Sequence, residues 1–203
     1  MPPLIFYLLT ALISYLLGSV NGAIIISRLC YGSDVREQGS RNAGLTNFYR
    51  CYGKKLVLPV LLIDLGKGMA SVLLGRRLLA AAGAEMSGAA AGMLSCIIGH
   101  MFPVYFHFRG GKGVLTGLGA MLMLDWRLGL ASVIVFSLLL SIWHYVSLGS
   151  VTAAALMPLE AWLLGHEPPV ILMIFISGFL VVWKHGSNLG RLVRGEENKL
   201  KLR

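Results

Sequence analysis

Three short polar stretches in a largely apolar chain carry the residue types that grip oxyanions. The first runs from Asp34 through Arg36, Gly39, Ser40, Asn42, Gly44, Thr46 and Asn47 to Arg50. Small residues let main-chain N–H groups converge, hydroxyls and amides donate to oxygens, and arginines neutralise charge, which together describe a phosphate cradle. A solvated, turn-rich loop accounts equally well for the same composition. The second is Arg109-Gly110-Gly111-Lys112-Gly113, directly before an apolar stretch. Glycines entering a helix leave N–H groups free, and a lysine beside them adds a full charge. It is not a nucleotide loop of the Walker type, because Phe106 stands where the first glycine belongs and Gly113 replaces Ser or Thr. Phosphate binding without nucleotide hydrolysis fits better, against a reading as topology-setting charge on a flexible turn.

The third stretch is His185-Gly186-Ser187-Asn188, followed by Arg191, Arg194, Glu197 and Lys199. On a continuing helix, positions 185, 188 and 191 share one face, so a His and an Asn one turn apart would meet a polar head group. A histidine at a membrane boundary also fits as a plain interfacial residue, and His100, Tyr105 and His107 read that way. Tyr145, Ser147 and Ser150 add hydroxyls. Cys30, Cys51 and Cys96 have neither the CxxC nor the Cys/His spacing of a disulfide or zinc framework.

What must position these stretches is a membrane. The 203 residues are 56% hydrophobic and 13% charged, against about 45–50% and about 25% in soluble domains. That excludes an ordinary water-soluble enzyme, and so apolar a chain does not stay disordered. Charge-free stretches of roughly 20 residues mark spans. The expected class is an all-α integral membrane protein forming one polytopic domain over 1–203. It has about seven transmembrane helices, near 4–29, 56–75, 87–106, 113–125, 128–147, 151–165 and 168–184, with the fifth and sixth divided at Gly149-Ser150. The short fourth span suggests a helix end recessed within protein, where loop backbone is shielded from lipid. The uncharged N-terminal stretch lacks a basic n-region and reads as a first span, not a cleaved signal.

Seven spans place 14 basic residues on one side and Arg76, Arg77 and Arg127 on the other. The N-terminus is thus expected outside and the C-terminus in the cytoplasm, with all three polar stretches gathered at the inner leaflet. The formal charge of +9 reflects this bias and an anionic substrate, not nucleic acid. Gly18/Gly22, Gly88/Gly92 and Gly113/Gly117 are spaced for close helix approach. Asp64 and Lys67, at i,i+3 within a span, form either a self-neutralising pair or a functional one.

In order and spacing these blocks resemble the bacterial membrane acyl-phosphate:glycerol-3-phosphate acyltransferases over nearly the whole chain. The resemblance rests on Gly18-Ser19, on Asp34-Val-Arg-Glu with Gly39-Ser40-x-Asn42-x-Gly44-x-Thr46-Asn47, and on Asp64 with Lys67-Gly68. It continues through Gly99-His100-x-Phe-Pro103, Phe108-x-Gly-Gly-Lys112-Gly and Tyr145-Val-Ser-Leu-Gly-Ser150. It closes with His185-x-x-Asn188-x-x-Arg191 and Gly195-x-Glu197-x-Lys199. Arg41 and Leu45 stand where that family usually has Gly and Ala, Gly186 where Arg is common, and Asn198 where Pro is usual. A glycine at position 41 would allow φ > 0; the arginine equally offers one more phosphate contact.

The resemblance implies acyl transfer from acyl phosphate to the 1-hydroxyl of sn-glycerol 3-phosphate, giving lysophosphatidic acid and phosphate in the first step of phospholipid synthesis. Acyl phosphate is then the donor, and no acyl-CoA, nucleotide or metal is required. Carried onto this chain, Ser40, Lys112, Ser150, His185 and Asn188 would be catalytic. Arg36, Gly39, Asn42, Gly44, Thr46, Asn47, Arg50, Gly110, Gly111 and Glu197 would bind or organise substrate and phosphate. The implied setting is the bacterial cytoplasmic membrane with the site facing the cytoplasm; the bilayer is a partner, nucleic acid is not, and a monomer is compatible. Acyl phosphate has a good leaving group, so positioning and charge neutralisation suffice. The H-x4-D pattern is absent at all five histidines, and no acyl-enzyme is expected. The attacking hydroxyl would lose its proton to a substrate phosphate oxygen, or else to His185. A small-anion transporter would share the basic mouths and the intramembrane charges, but the repeated halves common in transporters are not found.

Overall fold

A chain that must cross lipid has to satisfy its backbone internally, and helices do so within one segment. The computed structural model describes residues 3–200, and every regular element among them is helical. Of the tail's basic residues, Lys201 and Arg203 lie outside the described residues. The fold packs as two units, one up to Leu124 and one from Asp125 onward.

The first unit contains α1 (Pro3–Ser19), α2 (Gly22–Tyr31), α3 (Leu45–Tyr52), α4 (Val57–Leu79), α5 (Glu85–Met101) and α6 (Val114–Leu124). Helix α4 is central, packing on α5, α6 and α1, while α1 also packs on α5. These helices approach through small residues. A Cβ at Gly18 would strike the Cys96 carbonyl, one at Gly92 the Ser71 carbonyl, and one at Gly88 the Gly75 carbonyl. The expected Gly113/Gly117 pair works differently. Gly113 adopts φ +82° ahead of α6, and a Cβ at Gly117 would make only an ordinary contact at 3.6 Å with Ile97.

The first span, expected unbroken over 4–29, is interrupted at Val20-Asn21. The groups freed by the interruption are met by the α4 charges. Lys67 Nζ donates to the carbonyls of Gly18 (3.0 Å) and Val20 (2.7 Å) at the end of α1. Asp64 Oδ1 accepts from the Gly22 N–H (3.3 Å) at the start of α2. The two side chains also pair at 2.9 Å. Each charge faces the helix end of opposite partial charge. Asn21 completes the junction by capping α2, its Oδ1 accepting from Ile24 N–H at 3.0 Å.

Helix α6 has 11 residues, about 16 Å at 1.5 Å per residue, or half the hydrocarbon thickness. It matches the short fourth stretch but is not long enough to cross alone. Among the described residues five helices are, counting Pro3–Tyr31 as one, or six if α9 and α10 form one bent span.

The second unit contains α7 (Trp126–Trp143), α8 (Val146–Leu163), α9 (Pro168–Lys184) and α10 (Gly186–Val193), with α8 packed on α7 and α9. The break expected at Gly149-Ser150 falls instead at His144, whose φ of +64° ends α7. Gly149 lies inside α8, where a Cβ would meet the Phe136 backbone, so this glycine serves close packing and not a turn. Asp125 caps α7 (Oδ1 to Arg127 N–H, 2.9 Å) and is held by His166 at 3.0 Å. Hydrogen bonds from Arg127 lower its carboxyl to about 2, against the opposing effect of burial. Trp126, Trp143, Trp162 and Trp183 stand exposed at helix ends, as interfacial aromatics do.

Replacing Asp64 by Ala is expected to strand Lys67 and cost roughly 3–5 kcal/mol, the range for breaking a buried pair. The Asp64→Asn change, which keeps an acceptor for Gly22 N–H, should cost less. Thermal unfolding in detergent checks both, and equal, small losses would remove the pair from its role at the helix break.

Candidate functional site

The loop between α2 and α3 is built around two side chains. Asp34 caps the 3-10 turn Val35–Glu37 and chelates Arg36, whose Nε and Nη2 lie at 3.0 and 2.8 Å from its two oxygens. Arg28 adds Nε at 3.0 Å. Hydrogen bonding to Arg36, then to Arg28, outweighs burial and holds the Asp34 carboxyl far below the ordinary carboxylate range. Asn47, 1% exposed in the first turn of α3, accepts from Ser40 N–H at 2.8 Å and donates to the carbonyls of Val35 (2.9 Å) and Gln38 (3.1 Å). Gly39 sits at φ +57°, and a Cβ there would strike the Asn47 amide oxygen. Arg41 adopts φ +58°, the left-handed conformation that a glycine takes without cost.

This geometry sorts the first polar stretch. Arg36 directs its remaining Nη1 hydrogens to the carbonyls of Phe106 and Arg109, both at 2.9 Å, so four of its five N–H donors are engaged and two of them brace one loop on another. Asn47 is likewise a scaffold. Among the described residues, the side chains of Ser40, Asn42 and Thr46 make no hydrogen bond. Thr46 and Arg50 share a face of α3 by their i,i+4 spacing.

The glycine-lysine stretch is pinned in the same unit. Gly110 N–H donates to the Met101 carbonyl (3.2 Å) and Gly111 N–H to that of His100 (3.1 Å). These two N–H groups, expected to face an anion, instead close the end of α5. The glycines are required for approach. A Cβ at Gly110 would hit the His100 carbonyl, and one at Gly111 the His100 ring and the Ala43 carbonyl. Lys112 is therefore held beside the first loop, since Gly111 abuts Ala43, which in turn accepts from Asn21 Nδ2 at 3.2 Å. His100 is 3% exposed, not interfacial. Its Nδ1 meets Lys67 Nζ at 2.8 Å, so one buried chain of contacts runs from the helix break to the Lys112 turn. Tyr105 and His107 are exposed.

In the second unit, Glu197 gathers the third stretch. Its Oε1 accepts from Ser147 Oγ (2.9 Å) and Asn188 Nδ2 (2.6 Å), and its Oε2 from Arg191 Nε (2.7 Å). Burial alone would raise this carboxyl; the bonds from Asn188, Ser147 and Arg191 prevail and lower it. His185 joins α9 to α10, with Nδ1 at 2.7 Å from the Val181 carbonyl. A carbonyl only accepts, so Nδ1 carries the hydrogen and Nε2 is the basic nitrogen of the neutral ring. Ser150 Oγ donates to the Val146 carbonyl at 2.9 Å. The segment after Glu197 is tied down by Leu200 N–H on the His144 carbonyl (2.8 Å). Ser147 is a structural partner that its i,i+3 spacing to Ser150 and the Glu197 carboxylate together could have signalled. Among the described residues, no three His, Cys, Asp or Glu side chains are grouped to hold a metal ion.

The profile of a family described as glycerol-3-phosphate acyltransferase matches residues 8–195. Proteins called glycerol-3-phosphate acyltransferase from Prochlorococcus marinus (40% identical, 95% of this chain and 94% of theirs) and Trichlorobacter lovleyi (42%, 93% and 94%) are similar over almost their full lengths. Two crystal structures of PlsY (YgiH), an integral membrane glycerol 3-phosphate acyltransferase, superpose closely. Its glycerol 3-phosphate form is 33% identical with a TM-score of 0.87 over 96% of both chains. Its lysophosphatidic acid form is 31% identical with a TM-score of 0.84 over 96% of this chain and 95% of that one.

The Glu197 cluster makes the tail acid-sensitive. Its carboxyl is lowered from 4.5 on folding, so the stability it adds is present above that value and is lost as pH falls through the folded one. Hydrogen exchange over 186–198, taken relative to the intrinsic amide rate at each pH, should be slow from pH 8 to 5 and quicken in stronger acid. Glu197→Gln should speed it about 10–100-fold at neutral pH, equivalent to roughly 1–3 kcal/mol for donors left unpaired. An unchanged exchange rate in the variant would refute this.

Proposed function

Because the chain belongs to the glycerol-3-phosphate acyltransferase family, we propose that it transfers a fatty acyl group from acyl phosphate to the 1-hydroxyl of sn-glycerol 3-phosphate. The observation that carries the acceptor is the close superposition on a structure solved in its glycerol 3-phosphate form. The donor is proposed on chemistry. An acyl phosphate is an anhydride whose phosphate leaves readily, and the polar groups of this chain suit neutralising that phosphate. The reaction then needs no acyl-CoA, nucleotide or metal.

In the proposed reaction the glycerol hydroxyl oxygen attacks the acyl carbonyl carbon, and the carbon–oxygen bond to phosphate breaks as the tetrahedral intermediate collapses. Lys112, with Ser40, Asn42, Thr46 and Arg50, neutralises phosphate oxygens as charge moves onto the leaving group. Asn188 and His185 orient glycerol 3-phosphate, and Ser150 shapes the wall beside them. The hydroxyl proton passes to a phosphate oxygen, directly or by way of His185 Nε2, and the products are lysophosphatidic acid and inorganic phosphate. The hydroxyls of Ser147 and Ser150 already donate to Glu197 and to the Val146 carbonyl, which favours direct transfer over an acyl-serine. The site is assigned to the cytoplasmic face of a bacterial inner membrane, with the N-terminus outside.

Purified protein should turn over acyl phosphate and leave acyl-CoA unused. Lys112→Ala and Asn188→Ala should each lower kcat at least about 100-fold, the scale for losing one transition-state donor, without loss of fold. Equal use of acyl-CoA, or a trapped covalent acyl group on the protein, would overturn the reading.

A further inference from the structure

The first unit carries a basic pocket that the proposed reaction does not use. Its volume is about 510 Å³, and four arginines line it against two carboxylates, Asp34 and Glu37. Of these residues, the family resemblance carries over only Arg36 as a site residue. The walls are cross-braced. Arg28 and Arg36 stand 5.6 and 5.9 Å from the Phe106 ring centroid, and both chelate Asp34. Arg36 also fastens the Phe106 and Arg109 carbonyls. Two cations remain open: among the described residues, the guanidinium groups of Arg41 and Arg109 make no hydrogen bond or ion pair.

Arg41 holds φ +58°, a conformation that costs a side-chain-bearing residue roughly 1–2 kcal/mol and a glycine nothing. Such a cost persists where the surroundings enforce it, commonly at functional positions. The pocket's place says which anion would fill it. Arg28 lies in the last turn of the apolar segment Pro3–Tyr31, hence at a membrane boundary. Its chain neighbour Leu29 is 78% exposed, and Phe108, beside the His107 wall, is 59% exposed. Exposed apolar groups next to open arginines at the end of a span match a lipid whose phosphate is charged and whose chains stay in the bilayer.

We propose that this pocket binds the phosphate of an anionic membrane lipid, with Arg41 and Arg109 as its cationic ligands and Leu29 and Phe108 against the lipid body. The site is separate from Lys112 chemistry and does not depend on the reaction assigned above.

Native mass spectrometry of the full chain, purified in neutral detergent with equal phosphatidylglycerol and phosphatidylcholine, tests it. The wild type should retain the anionic lipid with about 30-fold preference, the effect of two arginines acting on an anionic headgroup. Arg41→Gly should reduce this about fivefold while raising the thermal midpoint, because it relieves the φ strain. Adding Arg109→Gln should remove the preference, whereas Lys112→Ala should retain it. An unchanged preference in the double variant would overturn the proposal, as would its loss in Lys112→Ala. Inorganic phosphate alone, binding as tightly as the lipid, would assign the pocket to a soluble anion and refute the lipid.

Discussion

Lipid supplies no hydrogen-bonding partner, so an interrupted helix within a span must have its orphaned carbonyls and N–H groups met by the protein. In this chain the Asp64–Lys67 pair of α4 does so at the junction of α1 and α2. Lys67 takes the carbonyls at the negative end of α1, and Asp64 takes the N–H at the positive end of α2. A neutral bridge would satisfy the same groups less strongly, since hydrogen bonds to charged partners are about twice as strong as neutral ones. The pair also neutralises itself, which limits the penalty of burying charge.

The same interaction reaches the polar loops. Lys67 contacts His100, whose carbonyl fixes Gly111 and whose ring leaves no space for a side chain there. Gly111 in turn abuts Ala43, and Asn21, which caps the broken helix, holds the Ala43 carbonyl. The position of Lys112 beside the α2–α3 loop therefore follows from a helix break lying deeper in the unit. Glycine acts here as a spacer: its absent Cβ lets two loops and a helix end touch.

Each unit fixes its polar groups by surrounding one acceptor with several donors. Asp34 holds two arginines in the first, and Glu197 holds a serine, an asparagine and an arginine in the second. Both carboxyls are consequently kept ionised. Because these scaffolds are made of the same residue types as a phosphate site, motif residues divide into those whose side chains make no bond within the loop and those that hold it. Asn47 and Arg36 fall in the second group, Ser40 and Thr46 outside it.

Much was legible in the order of residues. Apolar runs with rare charges required membrane helices, because burial in lipid leaves few alternatives. Asp64 and Lys67 at i,i+3 required a pair, because helical spacing brings them together. The Gly18/Gly22 and Gly88/Gly92 spacings announced close contacts that the Gly113/Gly117 spacing did not deliver, and the glycine that the family resemblance expects at position 41 pointed to the positive φ found there. Tertiary structure alone decided what those features serve. The break in the first span carries no proline and shows itself only once Lys67 and Asp64 are seen on its exposed backbone. Gly149 reads as a turn until Phe136 is found packed against it, and the real break falls at a histidine. Gly110 and Gly111 look like open N–H donors until the end of α5 accepts them. The reason is common to all of these: sequence spacing specifies neighbours along one helix, whereas the partner of a backbone group across helices is fixed only by packing.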